Sequence, residues 1–265
     1  LPSGGLNWPD IAVAEKSGYA YLVWLEGYYY PIRSEHRYPY RFKTWHAVWD
    51  GSEWSPRLRV INDEDTFYSS IESSPDGEVM LAWFQRWEQS AGDTVSPGDP
   101  IGPRTAYGTT PGTYSLRQAP NEPYTVPERD DAMLLAYAAG DDAYVLVTDH
   151  FLWPGVSSVY RYLWENGTWS GPLAVAEDFA NWATPFHVGA AKTQPLIRYV
   201  YNRVGLKTRT EINGVLSTPE SIGDILSARG VTGTPKAYFT DANGDLHMVV
   251  EGEKGGVTGF YYVAP

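Results

Sequence analysis

The chain has 265 residues, carries a net charge of −12 and contains no Cys. Disulfides, thiol catalysis and Cys-ligated metal are excluded, and the acidic balance argues against a surface built to neutralise nucleic-acid phosphates. With 11 Trp, 20 Tyr, 26 Gly and 20 Pro, the composition describes short strands joined by tight turns, and no apolar run approaches the roughly 18 residues of a membrane-spanning helix.

From Asp10, "DIAVAEKSGYAYLVW" alternates apolar and polar residues, turns near Gly18 and alternates again. That is the period-two signature of a β-hairpin. Residues 44–61, "TWHAVWDGSEWSPRLRVI", follow with an aromatic strand, a turn on Asp50-Gly51, Trp-Ser, a proline and another strand. The first pattern returns in "SSIESSPDGEVMLAW" from Ser69, "AMLLAYAAGDDAYVLV" from Ala132, "FHVGAAKTQPLIRYV" from Phe186 and "KAYFTDANGDLHMVV" from Lys236, with turns near Gly77, Gly140, Thr193 and Gly244. The second pattern turns again near Gly112, at Gly167 within "YRYLWENGTWSGPLAVAED" and at Gly214.

The two series interleave. Each unit of roughly 50–60 residues therefore holds four antiparallel strands, A to D, and five such units predict a five-bladed β-propeller, an all-β fold. A β-sandwich or a pair of smaller β domains are the competing architectures. The expected blades of this single domain are 8–65, 66–126, 127–179, 180–230 and 231–265. The last unit has no D strand of its own, and "LPSGGLNW" (1–8) is expected to close it. Helix is expected only as short turns, for instance in "TPESIGDILSA".

The hairpins at Asp50-Gly51-Ser52-Glu53-Trp54 and Asn166-Gly167-Thr168-Trp169, each followed by Ser and then a proline, resemble contracted Asp-boxes of sialidase-like BNR propellers. The resemblance extends over most of the chain as a blade pattern. It implies that Trp54 and Trp169 are core residues packed between blades. It also implies a central channel lined by the A strands, with ligands bound on the face where the D–A and B–C loops emerge. The segment "WPDIAVAEKSGYAYLVW" resembles the first strand pair of arabinanase-type glycosidases, whose paired carboxylates stand on inner strands. On that reading Asp10, Asp130 and Glu72 are the candidate acids. No Arg can be placed in the first A strand, where a true sialidase would need one.

Loop length marks the expected ligand face. The B–C segments of blades one to three are long, "EGYYYPIRSEHRYPYRF" (26–42), "RWEQSAGDTVSPGDPIGPR" (86–104) and "DHFLWPGVSS" (149–158), whereas "NRVG" and "GEKGG" in the last two blades are short. The first is rich in aromatic and basic residues. Flat rings stack on the C–H faces of sugars, and Arg and His donate to hydroxyls and carboxylates. The candidate ligand-binding set is Tyr29, Tyr30, Arg33, His36, Arg37, Tyr38 and Arg41, with Trp87, His150 and Trp153 from the neighbouring loops. Between 31 and 61, six cations (Arg33, Arg37, Arg41, Lys43, Arg57, Arg59) face three anions (Glu35, Asp50, Glu53), a local positive contrast suited to an anionic glycan. His36, Tyr38 and Arg41 would equally serve a polysaccharide lyase.

No metal site is expected: the five His lack ligand spacing, and "DANGD" (241–245) misses the distal Glu of a calcium loop. No cofactor motif appears. The sequence thus reads as a carbohydrate-binding, lectin-like propeller, expected in an extracellular or cell-surface setting of bacterial type. Its partner would be a glycan, not nucleic acid, and without membrane insertion. Two alternatives stay open: a glycoside hydrolase or lyase working on the same face, and a structural or protein-binding propeller.

Overall fold

The computed structural model describes residues 7–14, 16–29, 40–59, 66–86, 101–110, 113–117, 133–139, 143–152, 156–178 and 184–265. Five antiparallel sheets follow one another along the chain and form a five-bladed β-propeller. Blade one holds β1 (Asn7–Ala14), β2 (Tyr19–Tyr29), β3 (Tyr40–Trp49) and β4 (Leu58–Arg59). Blade two holds β5 (Thr66–Ser73), β6 (Val79–Arg86), β7 (Ile101–Thr110) and β8 (Thr113–Arg117). Blade three holds β9 (Met133–Tyr137), β10 (Tyr144–Leu152), β11 (Val156–Glu165) and β12 (Thr168–Asp178). Blade four holds β13 (Thr184–Ala190), β14 (Leu196–Asn202), β15 (Leu206–Ile212), β16 (Val215–Leu216) and β17 (Glu220–Ser221), which pairs with β15.

A short helix, α1 (Ile222–Ala228), leads into blade five, which consists of β18 (Val231–Thr240), β19 (Leu246–Lys254) and β20 (Val257–Val263). Ser221 caps the helix by accepting from the Asp224 backbone N–H, and Ile222 and Leu226 bury its apolar side between blades four and five. Of the stretch expected to close blade five, Asn7 and Trp8 lie in β1, where Asn7 pairs with Leu25 of blade one. The other residues of that stretch, 1–6, are outside the described residues.

The middle strands show how period-two sequence becomes a ring. In β6, Val79, Leu81 and Trp83 pack toward blade one, while the intervening Met80 and Ala82 pack toward blade three. In β10, Tyr144 and Leu146 face blade two, and Val145 and Val147 face blade four. A strand buried on both faces must be apolar at every position, which is why "VMLAW" and "YVLV" are continuous runs. The inner strands β1, β5, β9, β13 and β18 touch in that order. On the terminal blades, Ile11 and Val13 of blade one and Phe239, Phe260 and Tyr262 of blade five are exposed.

The repeated C–D hairpins turn as their residues require. Asn166-Gly167 and Asn213-Gly214 both take positive φ at two successive positions (52° and 76°, 50° and 80°), the geometry that matches strand twist in a two-residue turn and suits Asn-Gly. The expected burial between blades is corrected for Trp54 and holds in part for Trp169, which packs against the cluster shared by blades two and three. Trp54 is 46% exposed and lies against Trp49 at 5.8 Å. It pairs with Trp49 as an isolated bridge rather than within a full outer strand. Trp169 is partly buried, packed edge-on against Trp164 at 5.4 Å.

Candidate functional site

The inner strands end together. Val13, Ser73, Tyr137, Ala190 and Thr240 stand at or beside the last residue of β1, β5, β9, β13 and β18, and all five line one cavity of about 320 Å³. Every blade contributes to it, so it is the central channel. Glu72, His187, Lys192 and Phe239 complete its chemically distinctive lining. The cavity lies toward the end of the inner strands from which the A–B turns leave.

Glu72 is next to the end of β5, and its Oε1 accepts from the Ser73 backbone N–H at 3.0 Å. Burial pushes its carboxyl up to about 7; the nearby Asp10 charge adds to the rise, and the Ser73 N–H and Lys192 partly oppose it. A carboxyl at that value is protonated in a sizeable fraction of molecules at neutral pH and can donate a hydrogen bond or a proton.

Asp10 has a different task. Its Oδ1 accepts from the Ile11 N–H at 2.9 Å, and its Oδ2 accepts from Ser70 Oγ at 2.8 Å and the Ile71 N–H at 2.9 Å. Ser70 Oγ in turn accepts from the Leu135 N–H at 3.2 Å. One carboxylate thereby ties blades one, two and three together along their inner strands.

On the opposite side of the channel, His187 Nε2 lies 2.9 Å from Thr240 Oγ1, and its ring stacks on Tyr238. Burial lowers its imidazole to about 4, so it is neutral at physiological pH. The turns behind it are stitched together: the Lys192 N–H donates to Ala242 O at 3.0 Å and Gln194 Nε2 to Asn243 O at 2.6 Å. Gly189 permits the close approach, because a Cβ there would overlap Thr240 and crowd His187 Nε2.

Of the candidate acids, Glu72 thus lines the cavity, Asp10 is bound within the inner-strand framework, and Asp130 lies outside the described residues. Tyr30, Arg33, His36, Arg37, Tyr38, Trp87 and Trp153 also lie outside them. Tyr29 and Arg41 are not loop residues: Tyr29 pairs with Tyr40 and Arg41 with Tyr28, extending the β2–β3 ladder. His150 likewise pairs with Ser158 in the β10–β11 ladder. The aromatic and β-branched residues flanking these segments continue the strands. Of the basic stretch, Arg57 is engaged within the chain, 3.2 Å from both Glu26 oxygens and 4.3 Å above the Trp45 ring. Sequence reasoning did not select Tyr137, His187, Lys192 or Thr240. Their signal is positional: Tyr137, Thr240 and Lys192 are at or just past the end of an A strand, and His187 lies within β13.

Among the described residues no group of three or more His, Asp or Glu is placed to hold a metal ion, and no helix is long and apolar enough to cross a membrane.

The architecture is that of a β-propeller. Neither a protein-family model nor a curated protein sequence matches the chain. Among solved structures, it is similar to a protein of unknown function from Dyadobacter fermentans, with a TM-score of 0.58 and 12% identity over 98% of this chain and 79% of that one. It is similar to the NanB sialidase from Streptococcus pneumoniae, with a TM-score of 0.57 and 9% identity over 98% of this chain and 58% of that one. A polysaccharide lyase, an ulvan lyase bound to GlcA(1-4)Rha3S, gives 0.53 and 13% over 95% of this chain and 63% of that one. The chain therefore spans less than two thirds of the length of the sialidase and of the lyase. At these identities the likeness is one of fold.

Proposed function

We propose that this propeller binds a carbohydrate, with an anionic glycan as the best match, in and around its central channel. The observation that carries the reading is the 320 Å³ cavity where all five blades meet, furnished with Glu72, His187, Lys192 and Thr240. A hydroxylated ligand needs donors and acceptors at several angles, and these side chains supply both. Lys192 provides a cation for a carboxylate or sulfate, and Glu72 in its protonated form does not repel one. Two propellers of similar fold, a sialidase and an ulvan lyase, work on glycans, which supports the same ligand class here. The basic segment around Arg37 is proposed as a separate contact region, because it follows β2 at the opposite end of blade one from the A–B turns that border the cavity.

One observation favours the enzymatic alternative: a carboxyl near pH 7 in a channel is suited to general acid catalysis. Screening the protein on a glycan array alongside hydrolase and lyase assays separates the two. Binding of uronate- or sulfate-bearing glycans without turnover is expected of a lectin, and Glu72→Gln should leave it nearly intact at pH 6. Turnover abolished by Glu72→Gln would make the protein an enzyme. Arg37→Ala should weaken binding by about 1.5–3 kcal/mol, the worth of a charge-assisted hydrogen bond. No glycan retained under any condition would overturn the proposal.

A further inference from the structure

Blade five carries a second constellation, outside the Glu72 cavity. The Tyr262 hydroxyl lies 2.5 Å from His247 Nδ1. The other ring nitrogen, Nε2, lies 3.4 Å from Asp241 Oδ2, within ion-pair range, and makes no hydrogen bond. The Asp241 carboxylate is held in its ionised form, below the usual range, first by the Asp245 backbone N–H, with the Asn243 N–H and His247 adding to it. The Phe239 ring stacks on the imidazole at 4.4 Å and 7°, which fixes its orientation. The His247 side chain is only 13% exposed, whereas Tyr262 is 61% exposed. Phe239 also lines the channel, so this constellation is continuous with the cavity.

The order is that of a nucleophile, a base and an orienting acid. With Asp241 facing Nε2, the imidazole carries its proton there and presents Nδ1 as the acceptor for the phenol. The imidazolium that forms when Tyr262 gives up its proton is then stabilised by the carboxylate behind it. A purely structural bond would gain from having all three groups enclosed. Here His247 is sheltered while Tyr262 is largely exposed.

We propose that Tyr262, backed by His247 and Asp241, is a nucleophilic phenol whose substrate class is the acyl ester. In the step, Tyr262 Oη bonds to the ester carbonyl carbon and the ester C–O bond breaks. The phenolic proton passes to His247 Nδ1 and from there to the departing alcohol. The product is an acyl-tyrosine and a free alcohol, with no other reactant needed. The proposal is independent of glycan binding in the channel.

The test treats the whole chain with p-nitrophenyl acetate and follows p-nitrophenol release and peptide acetylation by mass spectrometry. Tyr262 should be acetylated at least about tenfold faster than its neighbour Tyr261, whose hydroxyl is bonded to the Val257 carbonyl. Tyr262→Phe should abolish that product. His247→Gln and Asp241→Asn should each slow it by about tenfold or more, the lower range of general-base contributions. Asparagine retains an oxygen for the two turn N–H donors, so Asp241→Asn reports on the relay even if His247→Gln disturbs the blade, and circular dichroism verifies the fold of each variant. Acetylation of Tyr262 at the rate of other exposed tyrosines, or at an unchanged rate in Asp241→Asn, would overturn the proposal.

Discussion

Glu72 and His187 line the same cavity and are displaced in opposite directions by the same cause. Burial disfavours charge, so it raises the acid to about 7 and lowers the base to about 4. His46, enclosed in blade one, is also lowered to about 4 by burial. These shifts give stability a defined pH dependence. For the two His, the unfolded chain binds protons between about 6.5 and 4 that the folded chain refuses. Their contribution is full above 6.5 and is lost as pH falls. Glu72 is the reverse: the folded chain keeps a proton that the unfolded chain releases above 4.5, so stability is lost as pH rises toward 7. Near pH 5.5 two His terms oppose one Glu term. Net stability should then rise with pH by about 1.4 kcal/mol per unit, one proton's worth. Glu72→Gln removes the opposition and should steepen the slope to nearly twice that. At pH 8 the variant should be more stable than the parent by roughly 3 kcal/mol, the worth of about 2.5 pKa units, with little difference at pH 4. Urea titrations at pH 5, 6 and 8 measure all three, and equal slopes in the two proteins would show that Glu72 is hydrated and ordinary.

At the scale of strands, the blade four–blade five seam depends on an absent side chain. Gly189 in β13 faces Thr240 in β18, and an added Cβ has no room. Gly189→Ala should therefore separate the strands, break the His187–Thr240 bond and cost about 1–3 kcal/mol, the usual range for overpacking. The released His187 should titrate closer to 6.5, which NMR of its ring protons would detect; an unshifted His187 would mean that the seam absorbs the methyl elsewhere. Such a constraint is hardly legible in sequence, because "HVGAA" shows no sign of which neighbour it will meet. The hairpins, by contrast, are legible: Asn-Gly between alternating strands dictates both turn and register, and runs such as "VMLAW" announce burial on two faces. Glu72 could be named from sequence because an acid within an inner strand is unusual. His187 and Lys192 could not, since their membership of the site follows from five strand ends converging. Where the strands end was less legible, because aromatic residues such as Tyr28, Tyr29 and Tyr40 are as suited to an extended hairpin as to a ligand-binding loop, and local chemistry does not distinguish the two.

At the scale of the whole molecule, a propeller is a row of sheets bent into a ring, and its cooperativity rests on the seams. The seams differ in kind. Blades one and two meet through Ala12, Tyr21, Val23, Leu81 and Trp83, an apolar contact. Blades three and four add a buried ion pair. Arg161 of β11 and Glu211 of β15 are 7% and 2% exposed, and Arg161 Nε donates to Glu211 Oε2 at 3.0 Å. The Tyr199 hydroxyl donates to the same oxygen at 2.5 Å. Such a cluster contributes little net stability if exchanged whole for apolar groups, but breaking it from one side leaves a buried charge without its counterion. Glu211→Gln should accordingly cost about 3–5 kcal/mol, more than any surface substitution. Because the loss falls at one seam, unfolding should lose its single transition, with blades four and five melting ahead of blades one to three. The double variant Arg161→Met with Glu211→Leu removes both charges and should recover most of the stability and the single transition. Denaturant melts followed by tryptophan fluorescence make the comparison possible, since nearly all the Trp lie before blade four. If Glu211→Gln unfolds as one unit within about 1 kcal/mol of the parent, water reaches the pair and the seam is held by its apolar residues alone. If the double variant is no better than the single one, the clustered side chains hold the blades together by their shape, and their charge is incidental.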